Sequence, residues 1–197
     1  MNFVGWIFLG VVAVLVLWAI SVYNGLVVRR NRYRNAYAQI DVQLKRRHDL
    51  IPNMVETARG YMRHERETLD AVVQARNAAS GAAQIAAASP GTEDAMHGVE
   101  KAEVHLSGAL GRFLAVAEAY PDLKANETMK GLQEELTSTE NRVAFARQAY
   151  NDSVMEYNTR CESFPDNVFA AFFKFTPAQL LQSTEAPAER TAPQVSF

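Results

Sequence analysis

Ten residues, LKRRHDLIPN, run from Leu44 to Asn53 and form the densest group of chemically versatile side chains in this sequence. Clustered cations could neutralise phosphate groups, and a histidine beside an aspartate could ligate a metal. A proline followed by an asparagine is instead typical of the junction between two helices. The stretch therefore admits four interpretations, namely a nucleic-acid patch, a phosphate site, a metal site or an interhelical corner. The residues concerned are Lys45, Arg46, Arg47, His48, Asp49, Pro52 and Asn53.

The distribution of charge argues against nucleic acid. Residues 29–52 carry seven Arg or Lys against two Asp, a balance of +5, whereas residues 53–197 carry thirteen basic against twenty acidic residues, a balance of −7. Nucleic-acid-binding domains more often spread basic charge over one face of the whole domain. We therefore expect no nucleic-acid partner.

The motifs for metal binding and catalysis are missing from the sequence. A di-iron helical bundle needs Glu-x-x-His pairs, and none of His48, His64, His97 and His105 belongs to one. The sequence also contains neither G-x-S-x-G nor H-E-x-x-H. Cys161 is the only cysteine, which excludes an intrachain disulfide and a cysteine-based zinc finger. We expect no catalytic residue, no cofactor and no metal.

The corner interpretation explains the opening stretch best. The basic residues and His48 would lie in the last turns of a helix, where cations complement the negative end of the helix dipole. Pro52 lacks a main-chain donor and disfavours helical geometry at the preceding residue, so it would end that helix. Asn53 would cap the next helix, with Glu56 three residues later as in a capping box.

A continuous but kinked helix is the alternative. Apolar positions keep their helical phase from Leu44 through Ile51 to Val55, and no glycine is present for a sharp reversal. In that arrangement we expect the C-terminal end of the domain to lie far from the membrane.

The N-terminal segment has the properties of a membrane span. No charged residue occurs from Phe3 to Val28, a run long enough to cross the hydrocarbon core of about 30 Å. It lacks the positive start and the small-residue cleavage site of a signal peptide. The basic flank follows the span, which predicts the N-terminus outside and the domain in the cytoplasm. The same cluster could attract anionic lipid, and its members are Arg29, Arg30, Arg32 and Arg34.

The remainder of the chain shows helical periodicity and no strand alternation. Apolar residues recur at helical spacing up to Ile51, from residue 53 to about 79, from Thr92 to Tyr120, and from Asn126 to Phe164. Residues 80–92 combine small residues with Pro90 and Gly91, which predicts a loop. Amphipathic helices must bury their apolar stripes against each other, so the sequence predicts an all-α, up-and-down four-helix bundle.

Four segments result from this organisation. They are an anchor (1–28), a bundle (29–165), a Phe-rich amphipathic segment (166–182) and a flexible polar tail (183–197). In an up-and-down bundle the Phe-rich segment returns towards the membrane, where it would contact the interface or cap the bundle core. The residues in question are Phe169, Phe172, Phe173 and Phe175.

Several long motifs resemble those of the LemA family of bacterial membrane proteins. They are YNGLV at 23–27, QIDVQLKRRHDLIPNMVETARGYMRHE at 39–65, EAYPDLKANE at 118–127, LQEELTSTENRVAFARQAYNDSV at 132–154 and YNTRCESFP at 157–165. The resemblance implies a four-helix bundle tethered by one N-terminal span, without assigned catalytic residues or cofactor. A member of this family takes part in forming magnetosome membranes, which by analogy implies a role in membrane organisation.

We therefore expect a non-enzymatic, single-pass protein of the inner membrane that acts as a scaffold. Its expected partners are membrane lipids, other proteins and further copies of itself. A transmembrane signalling or adaptor module is one alternative, and an enzyme with an unrecognised site is another.

Overall fold

A computed structural model describes residues 3–182, apart from the side chain of Val4. The predicted tail at 183–197 lies outside the described residues. Within them the fold is all-α and no strand is present, as predicted. The helices are α1 (Phe3–Arg59), α2 (Arg66–Ala88), α3 (Glu93–Ala117), α4 (Pro121–Ala125), α5 (Glu127–Glu162) and α6 (Asp166–Phe172).

Helix α1 has 57 residues and combines the apolar segment with the first helix of the bundle. At about 1.5 Å per residue it is about 85 Å long. Side chains are largely exposed as far as Ser21, and full burial begins at Val22. It is the one helix in the described part of the chain that is long and apolar enough to cross a membrane. Packing of the domain thus starts six residues before the predicted end of the anchor at residue 28.

The predicted corner at Pro52 is wrong, because α1 continues through Pro52 to Arg59. Proline removes the main-chain donor that would reach the carbonyl of the residue four positions earlier, which is His48. The Arg76 side chain of α2 supplies the missing donor, with its Nε 3.0 Å from the His48 carbonyl oxygen. This tertiary contact explains how the helix tolerates Pro52.

The alternative of a continuous helix is therefore correct, but the C-terminal end of the domain does not lie far from the apolar segment, as that alternative predicted it would. The chain reverses between Arg59 and Arg66, only two turns after the predicted corner, so the helices still alternate in direction. Helix α5 runs antiparallel to α1 and brings α6 back beside the apolar segment, as the contact of Phe169 with Trp18 shows.

The predicted loop at 80–92 is mostly helix. Helix α2 extends to Ala88, and Ala83 and Ala86 are buried in the bundle. Alanine has the highest helix propensity, and its small side chain allows close packing. The turn is restricted to residues 89–92, where Gly91 has a φ of 87°. A Cβ atom there would lie 3.0 Å from Ala178 and from the Tyr33 ring, so only glycine fits.

The core consists of two clusters stacked along the bundle. The membrane-proximal core lies next to the apolar segment and includes Tyr33, Tyr37, Tyr150, Tyr157 and Phe175. The distal core is mainly aliphatic and includes Ile51, Met54, Leu106, Leu110 and Phe113.

Candidate functional site

A layer of buried and partly exposed polar side chains lies at the level where the two cores meet. Arg47 of α1 donates from Nη1 to Oε2 of Glu103 at 2.7 Å, and from Nη2 to Glu140 Oε1 at 2.8 Å and to Ser107 Oγ at 3.0 Å. His48 Nε2 is 2.7 Å from Oε1 of the same Glu103. Arg47, His48 and Glu103 are each 5% exposed or less. We call these five residues the polar layer.

The ionisable side chains of the polar layer form ion pairs and hydrogen bonds with one another. Removal of a guanidinium and a carboxylate from water is costly unless the two charges are paired and hydrogen-bonded, as they are in this layer. The chemically versatile centre of LKRRHDLIPN therefore faces the interior of the bundle, between α1, α3 and α5.

The other polar residues of the opening stretch lie around this layer on the exposed side of α1. Arg46 forms an ion pair with Glu135, and Asp49 lies 3.6 Å from Arg76. Lys45 and Asn53 are exposed. Since Asn53 lies inside α1, the capping box predicted for it does not form.

The juxtamembrane arginines have protein partners as well as access to solvent. Glu156 of α5 pairs with Arg29 at 3.3 Å and with Arg32 at 2.6 Å. The guanidinium of Arg30 lies 5.0 Å from the centre of the Phe175 ring, within the range of a cation–π contact. Arg34 is exposed. Three of the four arginines thus join α1 to the C-terminal part of the domain.

Residues 174–182, here called the C-terminal strap, contain no helix and lie along α5. Asn158 donates to the Ala178 carbonyl and accepts from the Ala178 amide, both at 2.8 Å. Asn151 makes the same pair of bonds to Leu181, both at 2.9 Å. The two asparagines are seven residues apart and therefore lie on one face of α5. The strap is held by its main chain.

Tyrosines of the membrane-proximal core hold the same strap. The Tyr157 hydroxyl donates to the Thr176 carbonyl at 2.9 Å, and that of Tyr150 donates to the Gln179 carbonyl at 2.7 Å. Removal from water raises the pKa of Tyr150 and Tyr157, and also that of Tyr37, above the ordinary value near 10. The hydroxyls of Tyr150 and Tyr157 therefore remain protonated and act as donors.

The four phenylalanines at the C-terminal end divide between two environments. Phe175 is 8% exposed and closes the membrane-proximal core, while Phe169 is partly buried against Trp18. Phe172 and Phe173 are 78% and 46% exposed. Phe175 thus has the capping role, and the exposed pair has room for the interfacial one.

The described residues contain no group of three or more His, Cys, Asp or Glu side chains placed to hold a metal ion. A groove of about 480 Å³ runs between α3 and α5 beside the distal core, with an apolar floor that includes Leu110, Leu123, Met129 and Leu136. Its ionisable lining residues are Glu118, Lys124 and Glu140. The last of these already pairs with Arg47.

Sequence reasoning overlooked Glu103, Asn151 and Asn158. A signal for Glu103 existed, because it is a charged residue among the buried apolar positions of α3, between Val99 and Leu106. Arg47 interrupts the apolar positions of α1 in the same way. Two opposite charges in the buried stripes of two helices of one bundle predict a buried ion pair.

The protein is an up-and-down helical bundle whose first helix is continuous with an apolar N-terminal segment. The profile of the LemA family matches residues 36–197, and the chain belongs to the LemA family.

Named relatives agree with this assignment. The magnetosome protein MamQ of Magnetospirillum gryphiswaldense is 24% identical over 185 residues, which cover 83% of this chain and 68% of that one. Protein LemA of Metamycoplasma hominis is 24% identical over 162 residues, with 82% and 69% covered. The magnetosome protein MamQ 2 of Paramagnetospirillum magneticum is 35% identical over 78 residues, with 40% and 29% covered. This chain thus spans less than a third of the length of that last relative.

Proposed function

We propose that this protein is a non-enzymatic scaffold of the inner membrane. Its N-terminus would lie outside and its bundle in the cytoplasm, where the bundle would present its sides to protein partners or to further copies of the chain. The arginines that follow the apolar segment support this orientation, because basic flanks remain in the cytoplasm.

The observation that carries the proposal is the continuity of α1. One helix runs from the apolar segment to the distal end of the bundle, so the domain is attached to its anchor without a flexible linker. Such an attachment fixes the direction in which the bundle projects, which is what an organising protein requires. Arg47 and His48 of the polar layer are both bonded to Glu103 inside the bundle, which supports a structural role for these ionisable groups.

Photo-crosslinking in native membranes tests the scaffold function. A photoreactive amino acid would replace Phe145 or Ile85, which are 73% and 65% exposed on α5 and α2. We expect a discrete adduct, either with a second copy or with one partner protein. Gln74, another exposed position on α2, is the control for nonspecific capture. Folded protein in the membrane that gives no discrete adduct at either position would contradict the proposal.

Cysteine labelling of intact cells tests the orientation. Cys161 is 7% exposed and burial raises the pKa of its thiol, so background labelling will be low. An impermeant maleimide should label Asn2→Cys and should leave Gly131→Cys, an exposed position on α5, protected until the cells are opened. The reverse pattern would overturn the orientation.

A signalling module is the second candidate, and the same helix favours it, because a movement of the apolar segment would reach the polar layer directly through α1. Introduced cysteine pairs between α1 and α2 would report such a movement. Cross-linking yields that stay constant under every condition that changes the cell's response would exclude this function.

A further inference from the structure

Helix α6 packs against the inner end of the apolar segment. The ring of Phe169 lies 5.3 Å from that of Trp18, and the ring of Phe173 lies 4.9 Å from that of Tyr23, both in edge-to-face geometry. Asp166, which is 2% exposed, forms an ion pair with Arg160 of α5 and fixes the first turn of α6. Contacts to both α5 and α1 therefore set the position of α6.

The outward face of α6 is apolar. Val168 and Phe172 are four residues apart, share one helix face and are 59% and 78% exposed. Phe164, just before the helix, is 83% exposed. Residues 167–173, which read NVFAAFF, include no charged side chain. A continuous apolar face of this kind is unusual in water and marks an interaction site.

The geometry of α1 indicates what covers this face. The exposed part of α1, residues 3–21, is 19 residues long and spans about 28 Å, close to the thickness of the hydrocarbon core. Trp18 lies within this part and Tyr23 lies just beyond it. Phe169 of α6 contacts Trp18, and Phe173, the residue after the helix, contacts Tyr23, so α6 lies at the boundary between hydrocarbon and lipid headgroups.

We propose that α6 is an interfacial helix, with Val168 and Phe172 inserted among the lipid acyl chains on the inner side of the bilayer. This inference rests on the proposed membrane anchoring and adds a second lipid contact to it. An exposed cation stands close to this level, because Lys174 lies two residues after the end of α6. It would meet anionic headgroups, as is common beside interfacial helices. With two contacts the bundle stands at a fixed angle to the membrane.

Fluorescence quenching by lipids with brominated acyl chains tests the proposal on the full chain in nanodiscs of phosphatidylcholine and phosphatidylglycerol. The native Trp6 and Trp18 report on the anchor. In a background with W6F and W18F, the F172W variant reports on α6. The matched control is F145W in the same background, because Phe145 is equally exposed but lies on α5, far from α6 in the chain. Circular dichroism would verify that each variant is folded.

We expect F172W to lose emission to about the same extent as the native tryptophans, with bromines near the headgroups most effective, while F145W keeps its emission. Folded F172W that is not quenched, beside quenched native tryptophans, would overturn the interfacial helix and leave the anchored scaffold intact. Equal quenching of F145W would also overturn it, because the bundle would then lie flat on the lipid. Native tryptophans without quenching would refute the anchor itself, and the interfacial helix with it.

Discussion

The two halves of the bundle close their cores in different ways. The distal half uses mainly aliphatic side chains, almost all of them from helices. The membrane-proximal half uses four tyrosines and adds the C-terminal strap, which contributes Phe175, Ala178 and Leu181 to the core. Buried tyrosine hydroxyls need acceptors, and main-chain carbonyls of the strap provide them for Tyr150 and Tyr157. The half that joins the apolar segment is thus stabilised by polar, directional contacts, whereas the other half depends on apolar burial.

The polar layer lies between these halves, and its removal should have the largest effect. Glu103→Ala leaves the buried Arg47 without its closest carboxylate, so we expect the free energy of unfolding to fall by about 3 kcal/mol or more. Urea unfolding of the full chain in detergent measures this change. Glu140→Ala is the matched control, because Glu140 pairs with the same arginine from a half-exposed position and should cost about 1 kcal/mol or less. If the two variants lost the same free energy of unfolding, burial of the carboxylate would not determine how much it contributes to stability.

Substitutions of the asparagines that hold the strap test the membrane-proximal half of the bundle directly. Asn151→Ala and Asn158→Ala each leave a main-chain amide and a carbonyl of the strap without partners, and we expect a loss of about 1–3 kcal/mol for each substitution. Release of the strap should also accelerate tryptic cleavage after Lys174, which mass spectrometry detects. Asn31→Ala, at an exposed position of α1, should change neither quantity. An unchanged cleavage rate in both strap variants would show that the asparagines do not hold it.

On the distal side of the polar layer, the test concerns the proline inside α1. Arg76→Ala removes the donor to the His48 carbonyl and should cost about 1–3 kcal/mol. Pro52→Ala restores a main-chain donor, so in that background Arg76→Ala should cost about 1 kcal/mol less. A double-mutant cycle from urea unfolding measures the difference. Strictly additive losses would refute the compensation of Pro52 by Arg76.

The tyrosines of the membrane-proximal core should give the smallest effect near neutral pH. Burial raises the pKa of Tyr37, Tyr150 and Tyr157, so the unfolded chain ionises them first and binds fewer protons than the folded chain. The contribution of these neutral tyrosines to the free energy of unfolding is complete below about pH 10. It declines as the pH rises from there towards their pKa values in the folded state. Urea midpoints measured on both sides of pH 10 test this trend. The Tyr157→Phe variant should show a shallower decline, and an identical slope would exclude Tyr157 as a contributor.

Much of the fold could be predicted because its signals are local. Asn126 was predicted to open the last long helix, and its side chain accepts a hydrogen bond from the Met129 amide. The error at Pro52 has a physical cause, since proline ends a helix unless another group satisfies the carbonyl that it frees. That group belongs to Arg76, which lies on another helix. The sequence around Pro52 does not predict this contact. The prediction of a loop at 80–92 was wrong, because it gave more weight to the proline and glycine near the end of this segment than to the helix propensity of its alanines.

The candidate sites were predictable to different degrees. The sequence analysis grouped Phe169, Phe172, Phe173 and Phe175 in one segment, and only the packing shows that Phe175 caps the core while Phe172 is exposed. The strap was not predicted, because a non-helical segment bound through its main chain has no periodic apolar pattern.

By itself the sequence determined the helical class and the apolar N-terminal helix, since these depend on composition and on periodicity within single segments. Its long motifs carry the resemblance to the LemA family. The tertiary structure decided where the chain reverses, which charges are buried and which phenylalanines remain exposed. Arg47 and Glu103 are 56 residues apart, and Arg76 lies 28 residues from the carbonyl that it satisfies. Such contacts form only when the helices pack, because each partner is costly to bury until the other one meets it.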